Sequence, residues 1–377
     1  MKKRKQKTFP YRGTYFDYPS LFLILFLFLF GLVMVMSVSS YQGSVDFDDS
    51  TYFFKRQLLF GSGGILAMWI ISHIRYQFWK NFSLIIIVGA ILLLILVFVV
   101  GKASHGSTRW ISLGIISFQP SEVAKLALII YTAHICTAKS AYLRSIMGTI
   151  VVMLLPAAAL ILIAIENLSS AIVCGVIVVA IWFVATPKKW HLLIVLAVAA
   201  AGFIIFLNAA SYRGGRIDAW LHPETSPDGY QTMQALYAIG SGGLFGRGLG
   251  QSIQKMGFIP EAHNDMIFSV ICEELGIVGG MMIIMVFGML LWRFRFIAEG
   301  APDRFGALML VGIIAHIAFQ VILNICVVTN TLPNTGVALP FISYGGSSLA
   351  FLMVEMGLAL SVSRQIVPIS RQEEVAG

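Results

Sequence analysis

Stretches of about 20 consecutive apolar residues recur along this chain, and they limit its possible folds more than any other feature. The hydrocarbon core of a bilayer is roughly 30 Å thick, which a helix of about 20 residues crosses. Of the 377 residues, 58% are apolar and 12% are charged, and a soluble domain carries about twice that charged fraction. The sequence therefore predicts an integral membrane protein.

We predict an all-α bundle of ten transmembrane helices within a single membrane domain, residues 1–377. The first apolar run is too long for a signal peptide and no small-residue cleavage site follows it, so we expect it to be retained. The predicted spans are residues 19–41, 55–74, 80–100, 121–138, 146–165, 168–186, 190–208, 265–292, 305–329 and 341–364.

The distribution of basic residues predicts the orientation of this bundle. Most of the 26 Lys and Arg residues lie in the N-terminal tail (1–18), in every second connection and in the C-terminal tail (365–377). Short basic segments stay in the cytoplasm, so both termini are predicted to be cytoplasmic. The net charge of +8 is thus explained by topology, and no nucleic-acid binding is predicted.

Three connections on the opposite side are longer than simple links. Residues 101–120 form a medium loop, residues 209–264 form a large extracytoplasmic loop between helices 7 and 8, and residues 329–349 are polar and contain two prolines. Long loops of this kind are usually functional or disordered. Because residues 240–250 combine many glycines with apolar side chains, we expect the large loop to fold back onto the membrane surface.

A charged pair stands at the start of the fourth predicted span. Lys125 lies about one turn into the helix, where an unpaired charge costs on the order of 3 kcal/mol, and Glu122 lies on the same face. The pair is either a snorkelling lysine beside its neutralising neighbour or the lining of a polar cavity, which is the default for such groups. Gln119, Pro120 and Ser121 fit a helix start, with Ser121 near the N-cap.

The segment 258–276 holds the densest polar chemistry. Glu261, His263 and Asp265 directly precede an apolar helix. Asp265 either caps that helix, a common role for aspartate, or acts as a general base at the membrane surface. His263 is more often structural than catalytic when no other group points to it.

Three other positions carry polar groups near the same side. Arg109 precedes the fourth span, and its donor fork matches phosphate oxygens, although the adjacent Trp110 fits a membrane anchor equally well. Ser343 opens a polar segment that could bind an anion or pack helices through small residues. We interpret Glu273 and Glu274, two turns into the eighth span, as structural polar anchors.

Seven sequence blocks spread over nearly the whole chain form a recognisable pattern. They are FDYPSLFLILFLFLFGLVMVMSVSS (16–40), GSTRWI (106–111), FQPSEVAKLAL (118–128), ENLSSAI (166–172), YQTMQALYAIGSGGLFGRGLGQSIQK (230–255), FIPEAHNDMIFSVICEELG (258–276) and LPNTGVALPFISYGGSSL (332–349). Together they resemble the SEDS proteins (shape, elongation, division and sporulation), the group of FtsW, RodA and SpoVE. The motifs AIGSGG, GLGQS and PEAHND are more similar to the FtsW/SpoVE branch.

The resemblance implies a peptidoglycan glycosyltransferase that polymerises lipid II into β-1,4 glycan at the outer face of the bacterial cytoplasmic membrane. It implies that Asp265 is the catalytic base and that Glu122 and Lys125 line the cavity beneath it. A class B penicillin-binding protein is the implied partner, alongside lipid II and undecaprenyl-linked glycan. We predict a substrate-binding set of Arg109, Gln119, Ser121, Glu122, Lys125, Glu261, His263 and Ser343.

The predicted site needs positive charge for a pyrophosphate leaving group. Arg109 and Lys125 are the candidates, with a divalent cation (Mg²⁺ or Mn²⁺) held by carboxylates as a further option; no metal-ligand set is predicted. Two positions depart from the family pattern, Glu166 where another residue is expected and Asn334 where valine is frequent. We expect neither to touch the site.

Two other functions fit a polytopic chain with intramembrane charges. A lipid II flippase would place its ionisable groups near the midplane, within reach of both sides, whereas the candidate residues here are predicted at the outer face. That placement favours chemistry over transport. The third alternative is a non-catalytic scaffold that recruits a transpeptidase.

Overall fold

The computed structural model describes residues 15–366 except for gaps at 101, 105–106, 114–115, 188–189, 191–213 and 227–228. The predicted seventh span, 190–208, lies outside the described residues apart from its first residue, as do most of both tails. The described helices are α1 (Tyr18–Phe47), α2 (Tyr52–His73), α3 (Gln77–Val100), α4 (Pro120–Ala138), α5 (Ile146–Glu166), α6 (Leu168–Ala185), α7 (Gly214–Leu221), α8 (Tyr230–Gly242), α9 (Ile267–Gly300), α10 (Arg304–Val328) and α11 (Gly346–Ser363), with a short 3₁₀ helix at Tyr142–Arg144.

Within the described residues, seven helices are long and apolar enough to cross a membrane: α1, α3, α5, α6, α9, α10 and α11. Helices α2 and α4 occupy the second and fourth predicted spans and are 22 and 19 residues long. They are less apolar because they carry polar side chains that other helices bury, such as Gln57 and Lys125. The chain is therefore a multi-pass helical membrane protein, and the total of ten spans stays a prediction.

Several helix ends differ from the predicted spans. Helix α1 ends at Phe47 rather than at residue 41, and α9 ends at Gly300 rather than at residue 292. Hydropathy reports the apolar length that fits the bilayer, and a helix can continue into the polar region beyond it. The last helix begins at Gly346 rather than at residue 341, because Phe341 has a φ of 64° that no α-helix accommodates.

The connection 101–120 contains a small sheet that was not predicted from the sequence, within an otherwise helical fold. Strands β1 (Lys102–Ser104), β2 (Ser107–Leu113) and β3 (Ile116–Phe118) are antiparallel in the order β1-β2-β3. Thr, Trp and Ile in β2 favour strands, and hairpins pair the backbone locally. Strand β3 leads directly into α4, so the sheet lies at the start of that helix.

Small residues let the helices pack closely. Helix α2 lies along α11, where a Cβ on Gly357 would come within 2.8 Å of the Met68 carbonyl oxygen. Helix α10 packs on α6 and α9, and a large apolar cluster joins the helices. Close approach through glycine is a common way for membrane helices to associate.

The described parts of residues 209–264 fold against α9 rather than standing free. Lys255 forms a buried salt bridge of 2.8 Å with Glu274, which also accepts a hydrogen bond from the Ser37 hydroxyl at 2.8 Å. The carboxylate of Glu273 accepts from the Ser252 hydroxyl and from the Ile253 amide. The interpretation of these two glutamates as structural anchors is confirmed.

Helix α9 is broken at Gly276, where φ is 72° and ψ is −177°. The break frees backbone groups on both sides, and the segment 243–248 binds them. The amide of Arg247 donates to the Glu273 carbonyl at 2.9 Å, and the amide of Ile277 donates to the Gly243 carbonyl at 3.0 Å. Irregular backbone in a membrane protein requires such internal partners, so the kink and the loop stabilise each other.

Gly276→Ala is expected to lower the free energy of unfolding by about 1–3 kcal/mol, because this φ/ψ region is essentially restricted to glycine. A Cβ would also collide with the Leu244 carbonyl oxygen. The matched control is Gly288→Ala in the same helix, where a Cβ meets nothing within 4 Å and helix propensity improves. Thermal unfolding of the purified variants tests this, and equal melting temperatures would contradict it.

Candidate active site

One large cavity, about 960 Å³, opens at the end of the bundle where α2, α4, α6 and α11 begin. It brings together parts of the chain that are far apart in sequence. Its polar and charged lining comprises Arg56, Gln119, Glu122, Lys125, Asn167, Ser170, Gln231, Thr232, Glu261, Asn264, Asp265, Gln320, Asn334, Ser347 and Ser348, with Trp110, Trp220 and Tyr344 as large aromatic residues.

The helix ends make this cavity attractive to anions. Residues at the starts of α4, α6 and α11 line it, and α2 contributes Arg56 and Phe60 from its second and third turns. Each helix N-terminus carries roughly half a positive charge, although in α6 the Asn167 side chain already accepts from the Ser169 and Ser170 amides. Arg56 and Lys125 add full positive charges to a lining that also holds the carboxylates of Glu122, Glu261 and Asp265.

Asp265 lies in the cavity wall immediately before α9. The N-cap of that helix is Met266, so the capping alternative for Asp265 is wrong. Its backbone carbonyl accepts a hydrogen bond of 2.7 Å from Asn324. Its carboxylate oxygen Oδ2 would lie 3.9 Å from a Cβ placed on Gly336, so the segment that precedes α11 passes close to the carboxylate.

Glu122 and Lys125 form a buried ion pair in the wall of the same cavity. Their Oε2 and Nζ atoms lie 2.8 Å apart, and the side chains are 11% and 6% exposed. The reading as a charged pair lining a cavity is confirmed. The N-cap of α4 is Gln119 and the helix begins at Pro120, so the predicted helix start is confirmed. Ser121 is fully buried behind the wall, and its hydroxyl has no hydrogen-bond partner among the described residues.

Glu261 and Asn264 form a tight turn that presents polar groups to the cavity. Glu261 has a φ of 48°, its carbonyl accepts from the Asn264 amide at 2.9 Å, and its carboxylate accepts from the Asn264 side chain at 2.8 Å. Together with Asp265, these side chains line the cavity from one short segment.

His263 is buried beside this turn and is not among the cavity-lining residues. Its ring packs against Phe53 at 4.3 Å and Tyr344 at 5.4 Å between centroids, and its carbonyl accepts from the Tyr344 amide at 2.9 Å. Burial lowers the pKa of His263 to about 4. His263 is thus a neutral ring packed in an aromatic cluster, which fits a structural role better than a catalytic one.

His263→Phe is expected to make the stability of the folded protein less sensitive to acid. The folded state disfavours the charged ring, so the unfolded chain binds more protons below the ordinary pKa of 6.5, and stability falls as the pH drops from there. The loss at about pH 5 is about 2 kcal/mol. Phenylalanine keeps the ring packing, and Nδ1 has no hydrogen-bond partner among the described residues.

The measurement is the difference in melting temperature between about pH 7.5 and about pH 5, compared between wild type and His263→Phe. All other titrating groups are common to the two proteins. A difference that is the same in both would contradict the assignment of His263 as a buried neutral ring.

The structure describes only the backbone of Arg109, and Ser343 lies outside the lining of the large cavity. Arg109 lies in β2 beside Trp110, which lines the cavity, and the Arg109 side chain is outside the described part of the chain. The Ser343 hydroxyl accepts from the Leu339 amide at 2.8 Å, and its carbonyl accepts from Gln57 at 3.1 Å. Ser343 lines a second, smaller cavity of about 20 Å³ next to the Glu122–Lys125 pair.

Sequence reasoning missed several residues of the cavity wall. Asn334 was expected to lie away from the site, and that expectation is wrong: it lines the cavity and donates to Gln231 at 3.0 Å. Arg56 lies inside the second predicted span, where a charge is itself a signal. Its guanidinium donates to the Tyr52 hydroxyl at 2.6 Å. Nothing in the local pattern indicates Gln320, since its place depends on which helices meet.

The cavity offers oxygen ligands that suit a hard divalent cation. Mg²⁺ is usually held by one or two carboxylates together with substrate phosphates, and the wall presents the carboxylates of Glu122, Glu261 and Asp265. Among the residues that the structure describes, no group of three or more His, Cys, Asp or Glu side chains could hold a metal ion.

Comparison with known proteins agrees over almost the full length. Residues 18–367 match the FtsW/RodA/SpoVE family, described as cell cycle protein. Stage V sporulation protein E of Bacillus subtilis (strain 168) is 42% identical over 355 residues, which cover 92% of this chain and 97% of that protein. A "Probable peptidoglycan glycosyltransferase FtsW" of Geobacter sp. (strain M18) is 36% identical over 357 residues, covering 93% and 97%.

Solved structures share the fold. A chain from a structure titled "Structural coordination of polymerization and crosslinking by a peptidoglycan synthase complex" superposes with a TM-score of 0.78 at 28% identity, covering 93% of this chain and 98% of that one. Rod shape determining protein RodA of Thermus thermophilus gives a TM-score of 0.68 at 27% identity, covering 94% and 98%.

The fold and the cavity define a multi-pass helical membrane protein with a charged polar site set into one end of its bundle. The chain belongs to the FtsW/RodA/SpoVE family, as the sequence blocks indicated.

Proposed function

We propose that this protein is a peptidoglycan glycosyltransferase that polymerises lipid II, with Asp265 as the general base. The observation that carries the proposal is the shared cavity of Asp265 and the buried Glu122–Lys125 pair, which the starts of three helices also line. A volume of about 960 Å³ is at the upper end for small-molecule sites, which suits substrates as large as lipid-linked disaccharides.

The reaction is a single displacement at a sugar carbon. Asp265 accepts the proton from the 4-hydroxyl of the N-acetylglucosamine of one lipid II. That oxygen forms a bond to the anomeric carbon of the muramyl sugar on the second molecule, and the bond from this carbon to undecaprenyl pyrophosphate breaks with its electron pair. An α-linked donor gives a β-1,4 product, so the step inverts and needs no second carboxylate as nucleophile.

The leaving pyrophosphate requires positive charge rather than a proton. Lys125 and Arg56 are the described cationic side chains of the cavity, and the helix N-termini add fixed amide donors. Arg109 remains a candidate from its place beside Trp110. A Mg²⁺ or Mn²⁺ ion held by carboxylates of the cavity would add charge neutralisation at the phosphates.

The cavity is proposed to face the outer leaflet, with both termini in the cytoplasm. The support is the excess of basic residues in the tails and alternate connections. A class B penicillin-binding protein is the proposed partner, because glycan polymerisation leaves cross-linking to another enzyme. The similarity to a chain from a complex for polymerization and crosslinking supports such a pairing.

The test is incubation of the purified protein with lipid II, alone and together with the class B penicillin-binding protein of the same organism. The expected product is a ladder of glycan strands that a β-1,4-specific muramidase digests. No strands under either condition, with a folded protein, would contradict the proposed function.

A further inference from the structure

Three polar residues lie on one face of helix α10, four residues apart: His316, Gln320 and Asn324. We call them the α10 polar ladder. A spacing of four places side chains above one another along a helix. The surrounding helix is apolar, and His316 and Asn324 are 3% and 1% exposed. Ionisable and strongly polar groups inside a membrane bundle are costly to bury, so they point to a function.

The upper end of the ladder ties two parts of the cavity wall together. The side-chain amide of Asn324 donates to the Asp265 carbonyl at 2.7 Å and to the Val337 carbonyl at 2.8 Å. One amide group therefore joins the residue that carries the proposed base to the segment that precedes α11. Gln320 donates to the next carbonyl of that segment, Ala338, at 2.9 Å.

The segment held in this way faces the proposed base directly. A Cβ on Gly336 would lie 3.9 Å from the Asp265 carboxylate, and Asn334, Gly336, Val337 and Ala338 all line the cavity. The ladder thus fixes the position of the base relative to the neighbouring wall segment, beside the cavity that a sugar hydroxyl must enter. General-base catalysis depends on a hydrogen-bond distance of about 2.6–3.2 Å, so small displacements of either wall are costly.

At the other end of the ladder, the contacts of Gln320 determine the orientation of its side-chain amide. A carbonyl oxygen only accepts hydrogen bonds, so the Gln320 nitrogen must face Ala338 and its oxygen must face His316. Nε2 of His316 lies 2.8 Å from that oxygen and must therefore carry a hydrogen. Nδ1 of His316 lies 2.8 Å from the buried Glu355 carboxyl on α11. One proton shared between His316 and Glu355 completes the chain.

We propose that His316, Gln320, Asn324 and Glu355 are positioning residues that hold Asp265 and the segment 334–338 at the working distance. The inference rests on the proposed function of Asp265. The ladder is continuous with the site, since His316 and Gln320 line the 20 Å³ cavity beside Glu122 and Lys125. The chain of contacts runs from Glu355 through the ladder to the wall that faces the base.

The test uses size-matched variants that remove donors without emptying space. Asn324→Leu and Gln320→Met should each lower kcat about 10-fold to 100-fold, the range expected when a reacting group is displaced by about 1 Å. KM should change less than about threefold. The control on the same helix is Ile317→Val, a buried apolar change with no polar contact, which should leave kcat and KM at wild-type values.

A rescue pair separates hydrogen bonding from packing. Glu355→Gln should retain activity within about threefold of wild type, because the amide donates to Nδ1 while Nε2 keeps its hydrogen. Glu355→Leu should lower kcat by as much as Gln320→Met does. Gln320→Glu keeps the acceptor for His316 but loses the donor to Ala338, so it should behave as Gln320→Met.

Hydrogen exchange of the backbone amides of residues 334–345 measures how firmly the hydrogen bonds from Asn324 and Gln320 hold this segment. This measurement does not depend on turnover. Exchange should rise about 10-fold or more in Asn324→Leu and Gln320→Met and stay unchanged in Glu355→Gln and Ile317→Val. Wild-type kcat and exchange in Asn324→Leu and Gln320→Met would overturn the proposal, as would equal losses in Glu355→Gln and Glu355→Leu. If wild type makes no glycan but exchange responds as expected, the proposed function fails and the ladder stands.

Discussion

Asp265→Asn is expected to reduce the turnover of lipid II by about 10²–10⁴-fold, the contribution usual for a positioned general base. The substitution keeps the shape of the side chain and the hydrogen bond from Asn324 to the backbone carbonyl, so the cavity should keep its form. The amide cannot accept the proton of the attacking hydroxyl. The loss should therefore fall on kcat, with KM nearly unchanged.

Glu261→Gln is the matched control for this variant. It removes a carboxylate of the same cavity wall, within the same short segment, but leaves the proposed base in place. We expect less than about a tenfold loss of kcat. Equal losses in the two variants would show that the charge of the cavity matters more than a proton transfer at Asp265, and near wild-type turnover in Asp265→Asn would refute the base.

Lys125→Met is expected to be the most destabilising single change at the site. It leaves Glu122, whose side chain is 11% exposed, as a buried carboxylate without its partner, and breaking such a pair costs about 3–5 kcal/mol. The double variant Glu122→Gln/Lys125→Met removes both charges and should recover most of that stability. It should still fail to polymerise lipid II, because the cavity has lost a cation for the leaving pyrophosphate.

Unfolding and turnover measured on the same preparations test this pair. Stability that returns without activity supports a role of Lys125 in the reaction. A double variant with wild-type turnover would make the pair purely structural, and a single variant that loses less than about 1 kcal/mol would contradict the burial of the pair.

Local sequence rules predicted the parts of the structure that depend on near neighbours. Apolar length predicted where the spans lie, because the bilayer imposes it. Helical spacing predicted that Glu122 and Lys125 share a face, and the structure joins them at 2.8 Å. The segment before α9 was also singled out correctly as a source of cavity residues, since Glu261 and Asp265 both line the wall.

The rest depended on contacts between distant segments. Whether Asp265 caps α9 or faces a cavity depends on the exact residue at which the helix begins, and sequence signals place helix ends only within a few residues. Gln320 and Asn334 entered the wall because α10 meets the segment before α11, which no local pattern encodes. His263 became a packed ring because Phe53 and Tyr344 close around it.

The most direct test of the central claim compares wild type and Asp265→Asn in proteoliposomes that hold lipid II, with glycan strands and lipid II translocation measured in the same vesicles. If the cavity is a polymerisation site with Asp265 as base, wild type makes strands and Asp265→Asn makes none, while translocation does not differ between them. Translocation that requires Asp265, without any strands from wild type, would contradict the account and identify a transporter.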